Sequence, residues 1–191
     1  TALELFDTIN FDLEEIGTPI PFRWGKCKLV TASYGQGITT TPLQLARAYA
    51  ILGNGGYKFN PSILKKEIKQ AEKTEQIVSN KTSNAINLML RKVVSLNEGT
   101  ANFANIDGYE IAGKTGTSQV TKISLSERES EDFRKKEIEW KNRDHALFVG
   151  YGPLTNPELT VVVVVENGES GSAVAAPIAQ KIIDKYLEEK K

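Results

Sequence analysis

Lys114-Thr115-Gly116-Thr117 lies inside Tyr109-Glu-Ile-Ala-Gly-Lys-Thr-Gly-Thr-Ser-Gln-Val120, whose apolar and small residues read as a buried strand. The four residues carry one cation, two hydroxyls and a glycine. On an extended chain, side chains alternate, so Thr115 and Thr117 face one way and Lys114 and Gly116 the other, and Gly116 leaves room for close approach of another backbone. A sheet edge so furnished can grip a carboxylate and a carbonyl together. Lys-Thr-Gly by itself is a short triplet that often marks a turn, so the elements around it decide its weight.

Those elements alternate between helices and strands. Thr41-Pro42-Leu43-Gln44 is a capping-box pattern with proline at the first helical position, followed by a stripe of Leu45, Ala48, Tyr49 and Leu52 and a stop at Gly53 to Gly56. Residues 57–69 read as extended segments broken at Pro61. A second helix over 83–97 presents Ile86, Met89, Leu90, Val93 and Val94 to the core, and Gly99 ends it. Residues 146–151 and 159–166 read as strands joined by the turn-forming Gly-Pro-Leu-Thr-Asn-Pro connection, which makes an antiparallel hairpin. The last helix, over about 175–188, carries Ile178, Ile182 and Tyr186 at helical spacing and covers one sheet face. The expected fold class is α/β in its α+β form, a mainly antiparallel sheet flanked by helices.

Composition excludes several functions. The 191 residues hold 24 Lys plus Arg and 24 Asp plus Glu, so no net field draws the chain to nucleic acid or to an anionic membrane. The apolar run 159–165 is far short of the roughly 20 residues a membrane span needs. The N-terminus enters directly on an amphipathic pattern of Ala2, Leu5, Phe6, Ile9 and Leu13, as in a piece of a longer protein. Cys27, the only cysteine, has no partner for an internal disulfide and reads as structural. His145, the only histidine, also reads as structural, because Asp144 would point to the opposite strand face. One histidine and one distant cysteine make no metal site, and no metal is expected. Gly35-Gln-Gly37 precedes a helix start, but neither the dinucleotide nor the P-loop pattern is completed. Residues 121–144 hold seven basic and seven acidic residues and read as a charged, solvated excursion between strands.

Lys-Thr-Gly is the third of three motifs in the penicillin-recognising serine enzymes, after Ser-x-x-Lys and Ser-x-Asn/Asp. The blocks Thr31-Ala-Ser-Tyr-Gly-Gln-Gly37, Val93-Val-Ser-Leu-Asn-Glu-Gly-Thr-Ala101, Asp144-His-Ala-Leu-Phe-Val-Gly-Tyr-Gly-Pro153 and Val161-Val-Val-Val-Val-Glu-Asn-Gly168 flank it in order. Together they resemble the C-terminal half of the transpeptidase domain of class B penicillin-binding proteins. The ending Glu166-Asn-Gly-Glu-Ser-Gly-Ser-Ala-Val-Ala-Ala-Pro-Ile-Ala-Gln180 looks more like the elongation type, penicillin-binding protein 2, than the division type. The resemblance implies that residues 1–191 are the C-terminal portion of one transpeptidase domain, β-lactamase-like in fold, with a five-stranded sheet incomplete on its N-terminal side.

The same resemblance implies a peptidoglycan D,D-transpeptidase that cross-links stem peptides through a serine acyl-enzyme and binds penicillin. Lys114 would lie against the serine of the second motif and add positive potential near the substrate. Thr115 and Thr117 hydroxyls, beside Gly116, would hold the carboxylate of a D-Ala-D-Ala stem peptide or a β-lactam. The Thr117 N–H would be one of two oxyanion donors. No cofactor is implied. The expected setting is the periplasmic side of the bacterial inner membrane, with an anchor outside this chain and a membrane glycan polymerase as partner.

Ser62-Ile-Leu-Lys65 and Ser95-Leu-Asn97 fit the first two motifs as strings. The family spaces its motifs far more widely, and Ser62 follows Pro61 in an extended stretch where a residue at i+3 points to the other face. Both read as decoys, leaving no nucleophile in this chain and the chain alone inactive. Two other readings are a β-lactamase or D,D-carboxypeptidase relative and a non-catalytic fragment or scaffold module. The long upstream helix and the Gly-Thr-Ala block favour the transpeptidase.

Overall fold

The computed structural model describes residues 28–35, 37–64, 75–120 and 138–190, together with residues 3, 5, 8, 9, 12 and 13. Two compact units divide at Ala85/Ile86.

In the first unit, α1 (Lys28–Ser33) precedes α2 (Pro42–Gly53). The capping box forms as the sequence dictates: Gln44 N–H donates to Thr41 Oγ1 at 3.2 Å and Thr41 N–H to Gln44 Oε1 at 2.9 Å. The buried face of α2 is Gln44, Arg47, Ala48, Ile51 and Leu52, so Leu45 and Tyr49 sit on its flank rather than at its centre. Arg47 is tolerated inside because its Nε donates to the Phe59 carbonyl at 2.9 Å. The chain then extends through 57–64, and Tyr57 forms an isolated bridge with Gln76. Gly56 is obligatory there: its φ is +93°, and a Cβ would stand 1.9 Å from the Val78 carbonyl oxygen. The amphipathic pattern of residues 2–13, Cys27, residues 65–69 and residues 121–137 of the charged excursion lie wholly or mostly outside the described residues.

α3 (Asn80–Ser95) begins in the first unit and is completed in the second. Its buried positions include Leu90 and Val94, four residues apart, whereas Met89 is 64% exposed. The expectation that Met89 packs in the core is therefore corrected. One residue of offset rotates a side chain by about 100° around a helix, enough to carry it off the buried stripe.

The sheet of the second unit is β1 (Ala112–Ser118), β2 (His145–Gly152) and β3 (Leu159–Val165), in that order and antiparallel throughout. Three strands, rather than the five implied by the resemblance, are present among the described residues. β2 and β3 pair from Ala146 with Val165 to Gly152 with Leu159, which is the expected hairpin. Its connection includes a cis Gly152–Pro153 bond. Phe148 lies across the sheet, where a Cβ on Gly113 or Gly150 would meet its ring at 2.6 or 2.8 Å. Both glycines are required by that packing.

A π-helical turn, Gly171–Ala175, leads into α4 (Ala176–Glu188), with Pro177 in the first turn. The stripe α4 buries is Ala176, Ala179, Ile183 and Leu187, packed with Phe148, Val161 and Val163 in one core. Ile178 and Ile182, expected to face the sheet, are 39% and 46% exposed. The alternative stripe wins because two alanines at its N-terminal end bring the helix close to the sheet. No helix among the described residues is long and apolar enough to cross a membrane.

Candidate active site

β1 forms one edge of the sheet among the described residues. Its N-terminal end is fastened by Arg91 on α3, whose Nη1 donates to the Ile111 carbonyl at 3.0 Å and to Asn105 Oδ1 at 3.1 Å. Tyr151, fully buried opposite Ala112, donates its hydroxyl to Asn87 Oδ1, also on α3. Burial then falls along β1, from enclosed Ala112 and Gly113 to exposed Thr117 and Ser118. A strand anchored at one end and open at the other presents its polar half to solvent.

The four site residues occupy that open half. Lys114, Thr115, Gly116 and Thr117 pair with Val149, Phe148, Leu147 and Ala146. Register places Thr115 and Thr117 on the Phe148/Ala146 face and Lys114 and Gly116 on the other, as strand alternation requires. Lys114 is exposed, and its Nζ donates to the Thr115 carbonyl at 2.9 Å. The Thr115 hydroxyl meets the Thr100 hydroxyl at 3.0 Å. Thus one ammonium and two hydroxyls, with Thr117 two residues further along the strand, lie along one edge.

The close approach expected at Gly116 comes from Gly171. A Cβ on Gly171 would stand 2.5 Å from both the Gly116 and Leu147 carbonyl oxygens. A Cβ on Gly116 would meet only Leu147 Cβ, at 3.5 Å, among the described residues. The backbone of the π-helical turn therefore lies directly on β1 and β2, and the glycine this contact demands is Gly171.

His145 begins β2, and its Nδ1 accepts the Asn167 N–H at 2.9 Å. Asn167, with φ 58°, also donates from Nδ2 to the Arg143 carbonyl at 3.0 Å. Asp144 gives its carbonyl to Glu169 N–H at 2.8 Å, and its Oδ1 accepts Val120 N–H at 3.3 Å. These bonds clasp the 166–170 loop to the start of β2, beside the end of β1.

Ser62, in the first unit, lies in extended chain. It donates to Asp12 Oδ2 at 2.5 Å and accepts the Leu64 N–H at 3.1 Å. Lys65 is outside the described residues. Ser95 closes α3, and Asn97 follows in the exposed turn where Gly99 N–H donates to the Leu96 carbonyl at 2.9 Å. No cluster of three His, Cys, Asp or Glu side chains that could hold a metal occurs among the described residues. Thr100, Arg91 and Gly171 are the site neighbours that local sequence reasoning missed. Thr100 lies in the Gly-Thr-Ala block, but nothing local says that this block returns to Thr115.

An antiparallel sheet backed by a C-terminal helix, with Lys-Thr-Gly on its open edge, fits the class of penicillin-recognising serine enzymes that carry this motif. Residues 5–184 match the penicillin binding protein transpeptidase domain, and the chain belongs to that family. It is 37% identical to the peptidoglycan D,D-transpeptidase MrdA of Haemophilus influenzae, over 93% of this chain and 30% of that protein. It is 33% identical to stage V sporulation protein D of Bacillus subtilis, over 94% and 28%. The transpeptidase domain of Burkholderia pseudomallei penicillin-binding protein 3 superimposes with a TM-score of 0.77 at 27% identity, covering all of this chain and 55% of that one. The chain thus spans under a third of the length of these two curated relatives.

Proposed function

We propose that this chain supplies the substrate-gripping strand of a peptidoglycan D,D-transpeptidase of the elongation type. The observation that carries the reading is the placement of Lys114 Nζ, the Thr115 hydroxyl and exposed Thr117 along the open edge of β1. Lys114 makes the edge electropositive, and Thr115 and Thr117 hydroxyls beside Gly116 donate to a carboxylate, that of a D-Ala-D-Ala stem peptide or a β-lactam. In an antiparallel pair, alternate residues turn N–H and C=O together toward or away from the neighbour. The Thr115 carbonyl is met by Lys114 Nζ, which supports an outward Thr115, and by alternation an outward Thr117 N–H as oxyanion donor. Such a donor contributes roughly 3 kcal/mol to an acyl-transfer transition state.

The serine nucleophile comes from residues N-terminal to this chain, which leaves the chain alone inactive. The extended setting of Ser62 and its bond to Asp12 support that assignment, as does the small share of the relatives' length represented here. The 37% identity with a protein named MrdA supports the elongation type. The protein works on the periplasmic side of the inner membrane beside a membrane glycan polymerase, and residues 1–191 are the C-terminal portion of its single transpeptidase domain.

The test is intact mass spectrometry after incubation with a labelled penicillin. The 191-residue chain is expected to stay unmodified while a polypeptide extended N-terminally gains one adduct. An adduct mapped to Ser62 would overturn the assignment of the nucleophile, and an extended polypeptide that is never acylated would overturn the transpeptidase reading.

A further inference from the structure

We propose that Thr100 is a positioning residue of the carboxylate grip, acting by aiming the hydroxyl of Thr115. The inference rests on the carboxylate-binding role proposed for Thr115. The two hydroxyl oxygens are 3.0 Å apart, with the proton of Thr115 directed at Thr100. A hydroxyl has one donor and two acceptor positions, and its proton turns to suit its surroundings. A carboxylate only accepts, so it needs the Thr115 proton. When it arrives, the pair reverses: Thr100 donates to Thr115 Oγ1, and Thr115 donates to the carboxylate. No covalent bond changes. Two hydroxyls in series polarise each other, which strengthens the outer bond and leaves the inner oxygen satisfied in both states.

The surroundings hold Thr100 where this exchange requires it. Gly99 N–H donates to the Leu96 carbonyl at 2.9 Å and Ala101 N–H to the Val93 carbonyl at 3.2 Å, so both neighbours of Thr100 are tied to the end of α3. Ala101 is fully buried, and a Cβ on Gly99 would stand 2.1 Å from the Val93 carbonyl oxygen. β1 is tied to the same helix through Arg91 and the Ile111 carbonyl. One helix therefore sets the separation of the two threonines.

The test measures second-order acylation of the N-terminally extended polypeptide by benzylpenicillin and by its methyl ester, which has no free carboxylate. Thr100→Val keeps the shape of the side chain and removes the hydroxyl; Thr100→Ser restores it. Losing one hydrogen bond toward a charged group is expected to slow the free acid about tenfold. The ester should change less than about threefold, since its neutral carbonyl accepts a hydrogen bond only about half as strong as the carboxylate does, and Thr100→Ser should recover most of the free-acid rate. Equal slowing of acid and ester by Thr100→Val would show a merely structural role and overturn the inference. Wild-type rates in Thr100→Val, with Thr115→Val still slowed, would overturn it while leaving the carboxylate grip intact. A Thr115→Val variant as fast as wild type would overturn the grip itself and this inference with it.

Discussion

Thr115 is the residue whose chemistry and geometry agree most directly. Its hydroxyl is half-exposed on an open edge, one position from a lysine whose ammonium rests on its own carbonyl. In the N-terminally extended polypeptide, Thr115→Val is expected to lower β-lactam acylation by about ten- to a hundredfold, as for a hydrogen bond to a charged group, measured by competition with a fluorescent penicillin. His145 illustrates the opposite case. As the lone imidazole it invites a catalytic role, yet its Nδ1 accepts a backbone N–H from Asn167 and holds a loop. His145→Phe should leave acylation near wild type while lowering stability by about 1 kcal/mol, read from urea denaturation.

At the scale of elements, the decisive contact is between the π-helical turn and β1. Two backbones touch at Gly171 and Gly116, so a methyl group at one is far more disruptive than at the other. Gly171→Ala is expected to destabilise the fold by about 1–3 kcal/mol, the cost of overpacking, and to slow acylation by displacing β1. Gly116→Ala meets only ordinary contact among the described residues, so its effect should fall on acylation and leave the denaturation midpoint nearly unchanged. Equal loss of stability in the two variants would contradict the packing. The capping box of α2 and the β2–β3 hairpin were legible because each rests on residues adjacent in sequence: Thr41 with Gln44, and two apolar runs around a proline-containing turn. The buried faces of α3 and α4 were legible only to within one helical position, because several apolar stripes were available and the sequence does not say which one its neighbours cover.

Over the second unit, stability depends on a core that joins α4, β2, β3 and the end of α3. Ile183, fully buried there, and Ile182, 46% exposed beside it, differ by one helical position. Ile183→Ala should cost about 2–5 kcal/mol and Ile182→Ala under about 1 kcal/mol, compared by thermal or urea unfolding. Similar losses would mean that Ile182 is covered in the working protein.

By itself the sequence determined the family, the strand that holds Lys114-Thr115-Gly116-Thr117 and the order of the antiparallel hairpin. These are local properties: residue type, alternation and turn composition act over a few positions. Only the tertiary structure decided that Thr100 returns to Thr115, that Arg91 fastens the start of β1, and that Gly171 lies on Gly116. Each of these pairs residues 15 or more positions apart, brought together by packing of a helix or turn against the sheet, and no local pattern in the chain encodes that distance.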